Sequence, residues 1–144
     1  MTQQRPTPPS PHHRGGLDDR LTVLAGTPDD HSGVEDQLIA IAQLCAQRIA
    51  AVSYASVTAR HDDAYTTVAA GDDLALAVDQ AQYADQQGPC LEAVDTATLV
   101  PVPNIAATMR WPRFRDRAHG LGLCASLSIP LFAGRGEIIA ALNL

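Results

Sequence analysis

The spacing of apolar residues predicts one long helix near the start of the chain. Apolar side chains recur at steps of three or four between Val34 and Val52, the period of a helix with one buried side. Ser32 and Glu35 have the spacing of a capping box, which satisfies free N–H groups of a first turn. We therefore expect a helix of about five turns that begins at Ser32. Its apolar stripe comprises Val34, Leu38, Ile41, Cys45, Ile49 and Val52.

The next segments have the pattern of a β-hairpin. Residues 54–60 alternate between small apolar and polar side chains, which is typical of a strand with one buried face. Asp62 and Asp63 supply a turn, and residues 66–70 form the returning strand. The sheet is therefore predicted to be antiparallel here, with Ala55, Val57 and Ala59 on the buried face and Ser56, Thr58 and Arg60 on the other.

Three further helices are indicated by their capping signals. Residues 71–73 end the strand and cap a second helix that runs to about Ala84. Pro89, after Gly88, takes the first-turn position of a short helix, where a missing N–H has no cost. The pair Trp111-Pro112 opens another short helix, closed by Gly120 and Gly122.

The remaining segments are predicted strands. Residues 99–102 contain a proline, which cannot donate to a strand ladder, so this strand belongs at a sheet edge. Residues 123–132 and 137–144 are two strands joined by the glycine-containing connection 133–136. Together the elements predict an α+β domain, with helices packed on a mainly antiparallel sheet, over residues 32–144. Residues 1–31, rich in proline, glycine and aspartate, are expected to form a flexible leader.

Composition and charge exclude several classes of function. The net charge of −6 would repel a nucleic-acid backbone, so we expect no direct nucleic-acid binding. No apolar run is long enough to span a bilayer and no signal peptide is evident, so a cytoplasmic protein with no membrane role is expected. Three cysteines without close pairing, and the adjacent His12 and His13, predict neither a disulfide framework nor a metal site.

A series of short motifs then resembles one known group. These are Gln82-Tyr83, residues 88–93 (GPCLEA), residues 111–114 (WPRF), Ser126 to Leu131 with Pro130, and residues 141–144 (ALNL). In this order they resemble the GAF domains of actinobacterial GAF-ANTAR regulators, over residues 34–144. The resemblance implies a five- or six-stranded antiparallel sheet, with helices on one face that often mediate dimers and a ligand cavity on the other.

The resemblance also implies a role in regulation. GAF domains bind small effectors and pass the signal to an output domain, so a sensor in signal transduction or transcription regulation is expected. The ANTAR output module and the closing C-terminal helix of relatives are absent from this sequence, so the expected partners are an unidentified small molecule and either a second copy or a separate output protein. Cys124-Ala125 stands where relatives have Arg-Ser, which puts in doubt any ligand contact made there.

The segments that enclose the family's cavity supply five candidate ligand-binding residues, and no catalytic residue is predicted. Cys90 lies in a first helical turn, where the helix dipole favours a thiolate, although a buried packing role fits it as well. Four arginines between positions 110 and 117 fit either an anionic ligand or a solvated helix face. His119 fits either a surface position or a haem ligand, and the sequence defines no cofactor beyond this. Cys124 is expected to be structural, at the start of a core strand. The five candidates are Tyr83, Cys90, Trp111, Phe114 and Ser126.

Two other functions stay open at this point. The motif around Cys90 resembles the G-x-C motif of free-methionine-sulfoxide reductases, which would make that sulfur a nucleophile. Against this, the acidic residues expected near the last strand of that family are replaced by Asn143. The third possibility is a dimerisation or scaffold unit without a ligand, because a sheet face left without its helix exposes apolar surface.

Overall fold

A five-stranded antiparallel sheet forms the centre of the domain in the computed structural model, which describes residues 31–132, 136 and 138–144. The strand order is β2-β1-β5-β4-β3, and every neighbouring pair is antiparallel. This confirms the predicted α+β class. In chain order the elements are α1 (His31–Arg48), β1 (Ser56–His61), β2 (Ala64–Ala70), α2 (Asp73–Asp85), α3 (Pro89–Thr96), β3 (Val100–Val102), α4 (Pro112–Gly120), β4 (Ser126–Phe132) and β5 (Ile138–Asn143).

Helix α1 covers one face of the sheet. Its buried residues Leu38 and Ala42 pack with Val57 of β1 and with Ala140 and Leu142 of β5. The helix has the predicted length of about five turns, at 18 residues, but it ends at Arg48, before the last two residues of the predicted stripe. The chain then turns, with the N–H of residue 52 bonded to the carbonyl of residue 49 at 2.9 Å. The predicted stripe residue at 49 is consequently 44% exposed.

Helices α2 and α3 cover the opposite face, and α4 packs on α2. A buried apolar cluster there joins Val78 of α2 to Phe114 and Ala118 of α4 and to Ile105 in the preceding loop. The predicted starting signals of α2 and α3 are confirmed. The Asp72 side chain accepts the N–H of Ala75 at 2.8 Å, and α3 begins with a proline.

The first half of strand β1 is buried on both faces, which corrects the prediction of a half-buried strand there, whereas Arg60 in its second half is exposed. Val57 faces α1, as expected, but Ser56 and Thr58 are also 0% exposed. The reason is that α2 and α3 cover the second face at this end of the strand, which the pattern within β1 does not indicate. The polar side of β1 therefore points into the protein interior.

The C-terminal half follows the predicted order with one shift. Strand β3 lies at the sheet edge, as its proline required. Strand β4 begins at Ser126 rather than at residue 123, because the N–H of Leu123 is still bonded to the carbonyl of Ala118 at the end of α4. Cys124 consequently lies in an exposed loop, which corrects the prediction that it starts a core strand.

Some predictions fall outside the described residues. They are the leader, the side chains of Ser32 and Glu35 in the capping box, and most of the connection between β4 and β5.

Candidate functional site: a buried polar cluster

Polar side chains meet between the sheet and helices α2 and α3, where a protein core ordinarily holds apolar groups. They come from strands β1, β2, β4 and β5 and from both helices, and most of them are fully buried. We name this set the polar cluster. Its members are Ser56, Thr58, Thr67, Asp79, Tyr83, Cys90, Ser128 and Asn143.

Asp79 places a carboxylate inside the cluster. Its side chain is 0% exposed, with Oδ2 accepting from Thr67 Oγ1 at 2.8 Å and Oδ1 accepting from Asn143 Nδ2 at 3.4 Å. No arginine or histidine in the described part of the chain forms an ion pair with it. Burial raises the pKa of Asp79 to about 6, while hydrogen bonds from hydroxyl and amide neighbours act in the opposite direction.

Asn143 connects three adjacent strands within the cluster. Its Nδ2 donates to Ser56 Oγ at 3.2 Å and to Thr58 Oγ1 at 3.1 Å, both on β1. Its Oδ1 accepts from Ser128 Oγ on β4 at 2.9 Å. Because an amide carries both donors and an acceptor, this one side chain satisfies hydroxyl groups on either side of β5.

Tyr83 lies between the polar cluster and solvent. Its phenol oxygen is 2.9 Å from both Thr58 Oγ1 and Thr67 Oγ1. Its half-buried ring stacks on that of Tyr65, with centroids 6.4 Å apart. The Tyr65 hydroxyl in turn donates to Asp95 Oδ1 at 2.5 Å, which holds the outer ring in place. The Tyr65–Tyr83 pair therefore closes the cluster on this side.

Cys90 is a buried member of the cluster rather than an accessible thiol. It is 0% exposed, and its sulfur accepts from Thr58 Oγ1 at 3.7 Å. Burial raises the pKa of the Cys90 thiol above its ordinary value, and the negative charge of Asp79 raises it further. The dipole at the start of α3 therefore does not produce a thiolate here.

A tight backbone approach fixes the start of α3 beside the cluster. The Cys90 N–H donates to Gln82 Oε1 at 2.9 Å, and Gln82 is itself 1% exposed. A Cβ atom at Gly88 would lie 2.1 Å from that same Oε1. Glycine is required at this position because the glutamine side chain occupies the space of any other residue.

The other predicted site residues lie outside the cluster. The rings of Trp111 and Phe114 pack edge to face, with centroids 6.5 Å apart. Phe114 lies on the buried side of α4 and is 0% exposed. Ser126 lies two residues before Ser128 on β4, and its buried Oγ has no hydrogen-bond partner among the described residues. The structure therefore brings Tyr83 and Cys90 together, but it does not join Trp111, Phe114 and Ser126 to them in one pocket.

Three of the four arginines near α4 form ion pairs with carboxylates. Arg110 pairs with Glu92, Arg115 with Asp116 at 2.8 Å, and Arg117 with Asp85 at 3.6 Å. Arg113 and His119 are exposed on α4. The Arg110–Glu92 pair joins the loop before α4 to α3, and the Arg117–Asp85 pair joins α4 to α2, whereas the third pair lies within α4.

Neither a metal site nor a membrane-spanning helix is found among the described residues. No group of three or more His, Cys, Asp or Glu side chains in that part of the chain is arranged to hold a metal ion. None of its helices combines the length and the apolar character needed to cross a lipid bilayer.

Comparison with known proteins identifies the family. The family model described as GAF domain matches residues 33–144, which is most of the chain. The chain belongs to the GAF domain family. No curated protein matches it.

Solved structures share the fold of this GAF domain at low sequence identity. A domain of a protein assigned as a two-component sensor histidine kinase from Sinorhizobium meliloti 1021 is 15% identical, with a TM-score of 0.55. That likeness covers 81% of this chain and 72% of the other. The GAF domain of A. aeolicus nlh2, in an inactive state, is 12% identical with a TM-score of 0.59, covering 88% and 74% of the two chains. At these identities the likeness establishes the fold.

Sequence reasoning missed the centre of the cluster, although a signal for part of it was present. The buried residues of α2 include Ala75, Val78, Asp79 and Gln82, at helical steps of three and four. Two polar residues on the buried side of a helix are unusual and indicate a polar site. Asn143 gave no such signal, because its partners lie far away in the sequence.

Proposed function

We propose that this GAF domain is a regulatory sensor that binds a small effector at the polar cluster and takes part in signal transduction or transcription regulation. The observation that carries the proposal is Asp79, a fully buried carboxylate without a described cationic partner. A buried charge is costly unless it is paired, so stability alone does not favour this residue. Hydroxyl and amide groups around it provide the hydrogen-bonding partners of a small polar ligand.

Access to Asp79 passes by Tyr83 in this proposal. The tyrosine hydroxyl holds Thr58 of β1 and Thr67 of β2 together, so an entering ligand displaces it and takes over those hydrogen bonds. Because α1 packs on the other face of β1 and β2, a shift in these strands reaches α1. That helix is the element we propose to transmit the signal, to a second copy of the chain or to a separate output protein in the cytoplasm.

The proposal does not include catalysis. A nucleophilic cysteine needs an accessible sulfur and a lowered pKa, whereas Cys90 is fully buried and its pKa is raised. This argues against the role of a free-methionine-sulfoxide reductase. Direct binding to nucleic acid is not proposed either, because the net charge is −6.

Native mass spectrometry and an absorption spectrum of the purified chain test the proposal first. A co-purified effector would appear as a stoichiometric extra mass, or as a chromophore in the case of haem. A thermal-shift screen of metabolites follows, because a ligand at a hundredfold excess over Kd stabilises by about 2.7 kcal/mol, or about 10 °C for a domain of this size.

Asp79→Asn and Asp73→Asn provide the matched comparison. Both variants remove one carboxylate from α2, but Asp73 is exposed and Asp79 is in the polar cluster. The ligand-induced shift should disappear in Asp79→Asn and persist in Asp73→Asn. The sensor proposal would be refuted if the purified chain had the mass of the protein alone and no metabolite shifted its melting temperature. That result would favour a scaffold, and gel filtration would then detect its dimer.

A further inference from the structure

A groove beside the edge strand β3 is separate from the polar cluster. It has a volume of about 240 Å³ and lies between β3 and the loop that leads to α4. Pro101 and Val102 form its apolar side, and Asn104 and Thr108 add polar groups. Arg110 and Trp111 complete the wall. Since liquid water occupies about 30 Å³ per molecule, the space equals about eight waters and suits a ligand with a single small ring.

The Arg110 side chain presents a positive charge at this groove. Its guanidinium carbon lies 4.1 Å from the centre of the Trp111 ring, and its side chain is 52% exposed. It also forms an ion pair with Glu92 of α3. A guanidinium has five N–H donors and matches carboxylates in a planar, two-point geometry, so one glutamate leaves donors for a second anion.

The Trp111 backbone is held in an unusual conformation at the same place. Its φ of 46° and ψ of 64° are left-handed, which costs a residue other than glycine about 1 to 3 kcal/mol. The Arg115 N–H donates to the Trp111 carbonyl at 2.8 Å, and the Trp111 ring packs edge to face on that of Phe114. These two contacts hold Trp111 in the left-handed conformation. Strain of this kind is concentrated at ligand clamps and active sites. The result is an indole ring fixed beneath a guanidinium at the wall of the groove.

We infer that this groove binds a small organic carboxylate with a flat apolar body. The carboxylate pairs with Arg110 in competition with Glu92, and the apolar body contacts Val102, Pro101 and the indole. The Thr108 hydroxyl oxygen accepts the backbone N–H of Arg110 at 3.3 Å. The proton of this hydroxyl is therefore available to donate to the anion. The groove contains no member of the polar cluster, so this site is distinct from the one under Proposed function.

Trp111 makes the test direct, because it is the only tryptophan of the chain. The full-length protein is titrated at constant ionic strength with benzoate, benzamide or benzylamine, which share one ring and differ in charge. We expect benzoate alone to change the tryptophan fluorescence in a saturable manner. No saturable change with benzoate up to about 10 mM, or an equal response to benzamide, would overturn the inference.

Two substitutions of opposite expected effect keep the test independent of misfolding. Arg110→Gln should weaken benzoate binding at least tenfold, whereas Glu92→Gln should strengthen it severalfold because the competing carboxylate is removed. Arg113→Gln is the matched control, since this exposed arginine lines neither the groove nor the polar cluster. An equal loss of affinity in Arg113→Gln, or unchanged affinity in both Arg110→Gln and Glu92→Gln, would contradict the assignment.

Asp79→Asn separates this inference from the proposed function. Benzoate binding at the groove should be unaffected by that substitution. If benzoate binding is instead lost in Asp79→Asn and kept in Arg110→Gln, the probe occupies the polar cluster. That result would overturn the groove site and support the sensor proposal.

Discussion

Asp79 should make the stability of the domain rise as the pH falls towards 5. Its pKa is about 6 in the folded protein against an ordinary value of 3.8, so the folded state binds the proton more tightly than the unfolded state does. The resulting stabilisation is complete below pH 3.8 and is lost as the pH rises through about 6. The difference between these pKa values corresponds to about 3 kcal/mol in total, of which less than half, about 1 kcal/mol, falls between pH 7 and pH 5.

The ionisable neighbours of Asp79 do not confuse this measurement. They are Tyr54, Tyr83 and Cys90, and burial raises the pKa of each above its ordinary value. All three stay uncharged between pH 5 and pH 7.5. The change in that range can therefore be assigned to Asp79 once the exposed carboxylates are subtracted.

Urea unfolding followed by circular dichroism at pH 5, 6, 7 and 7.5 provides the assay. The unfolding free energy of the native chain minus that of Asp79→Asn should increase by about 1 kcal/mol from pH 7 to pH 5. Asp73→Asn, which removes an exposed carboxylate from the same helix, is the matched control for the change in net charge. A native-minus-Asp79→Asn difference that does not change with pH would show that this carboxylate is not desolvated in the folded state.

Two further predictions concern α3 and the thiols. Gly88→Ala should destabilise the domain by about 1 to 3 kcal/mol in urea unfolding, because the new Cβ displaces Gln82 from its buried hydrogen bond. Gly120→Ala is the control and should be neutral or slightly stabilising, because a Cβ at that position meets no atom within 4 Å. An equal loss in both glycine variants would exclude the Gln82 contact as the cause. Cys124 should react rapidly with a disulfide reagent in the folded protein and Cys90 only after unfolding, as mass spectrometry of the labelled peptides can show; rapid labelling of Cys90 in the native state would contradict its burial.

The fold was predictable because local signals and global packing agree in this chain. The proline of α3, the aspartate cap of α2 and the proline of β3 each specify a helix start or a sheet edge without reference to distant residues. The errors occurred where a distant element decides the outcome. Ser56 and Thr58 were placed on a solvent face because nothing within β1 indicates that two helices will cover them.

The candidate site was predictable only in part, for the same reason. Tyr83 and Cys90 belong to recognisable motifs, and the structure places both in the polar cluster. Asp79 and Asn143 are joined across 64 residues of sequence, and neither has a neighbour in the chain that indicates this contact. Their meeting is a property of the sheet order, which local pattern does not define.

The position of β5 has a consequence for how the chain reaches its native form. This strand is the last of the described strands in sequence, yet it lies between β1 and β4 at the middle of the sheet. Asn143 must find Ser56 across 87 residues, so the decisive pairing is highly non-local and is expected to slow folding. On the ribosome, the β1–β2 hairpin can form early, but it has to wait with one edge unpaired until residues 138–143 have been synthesised. During that interval the nascent chain is open to pairing with other strands, and a chaperone that shields the edge of β1 would increase the yield of folded protein.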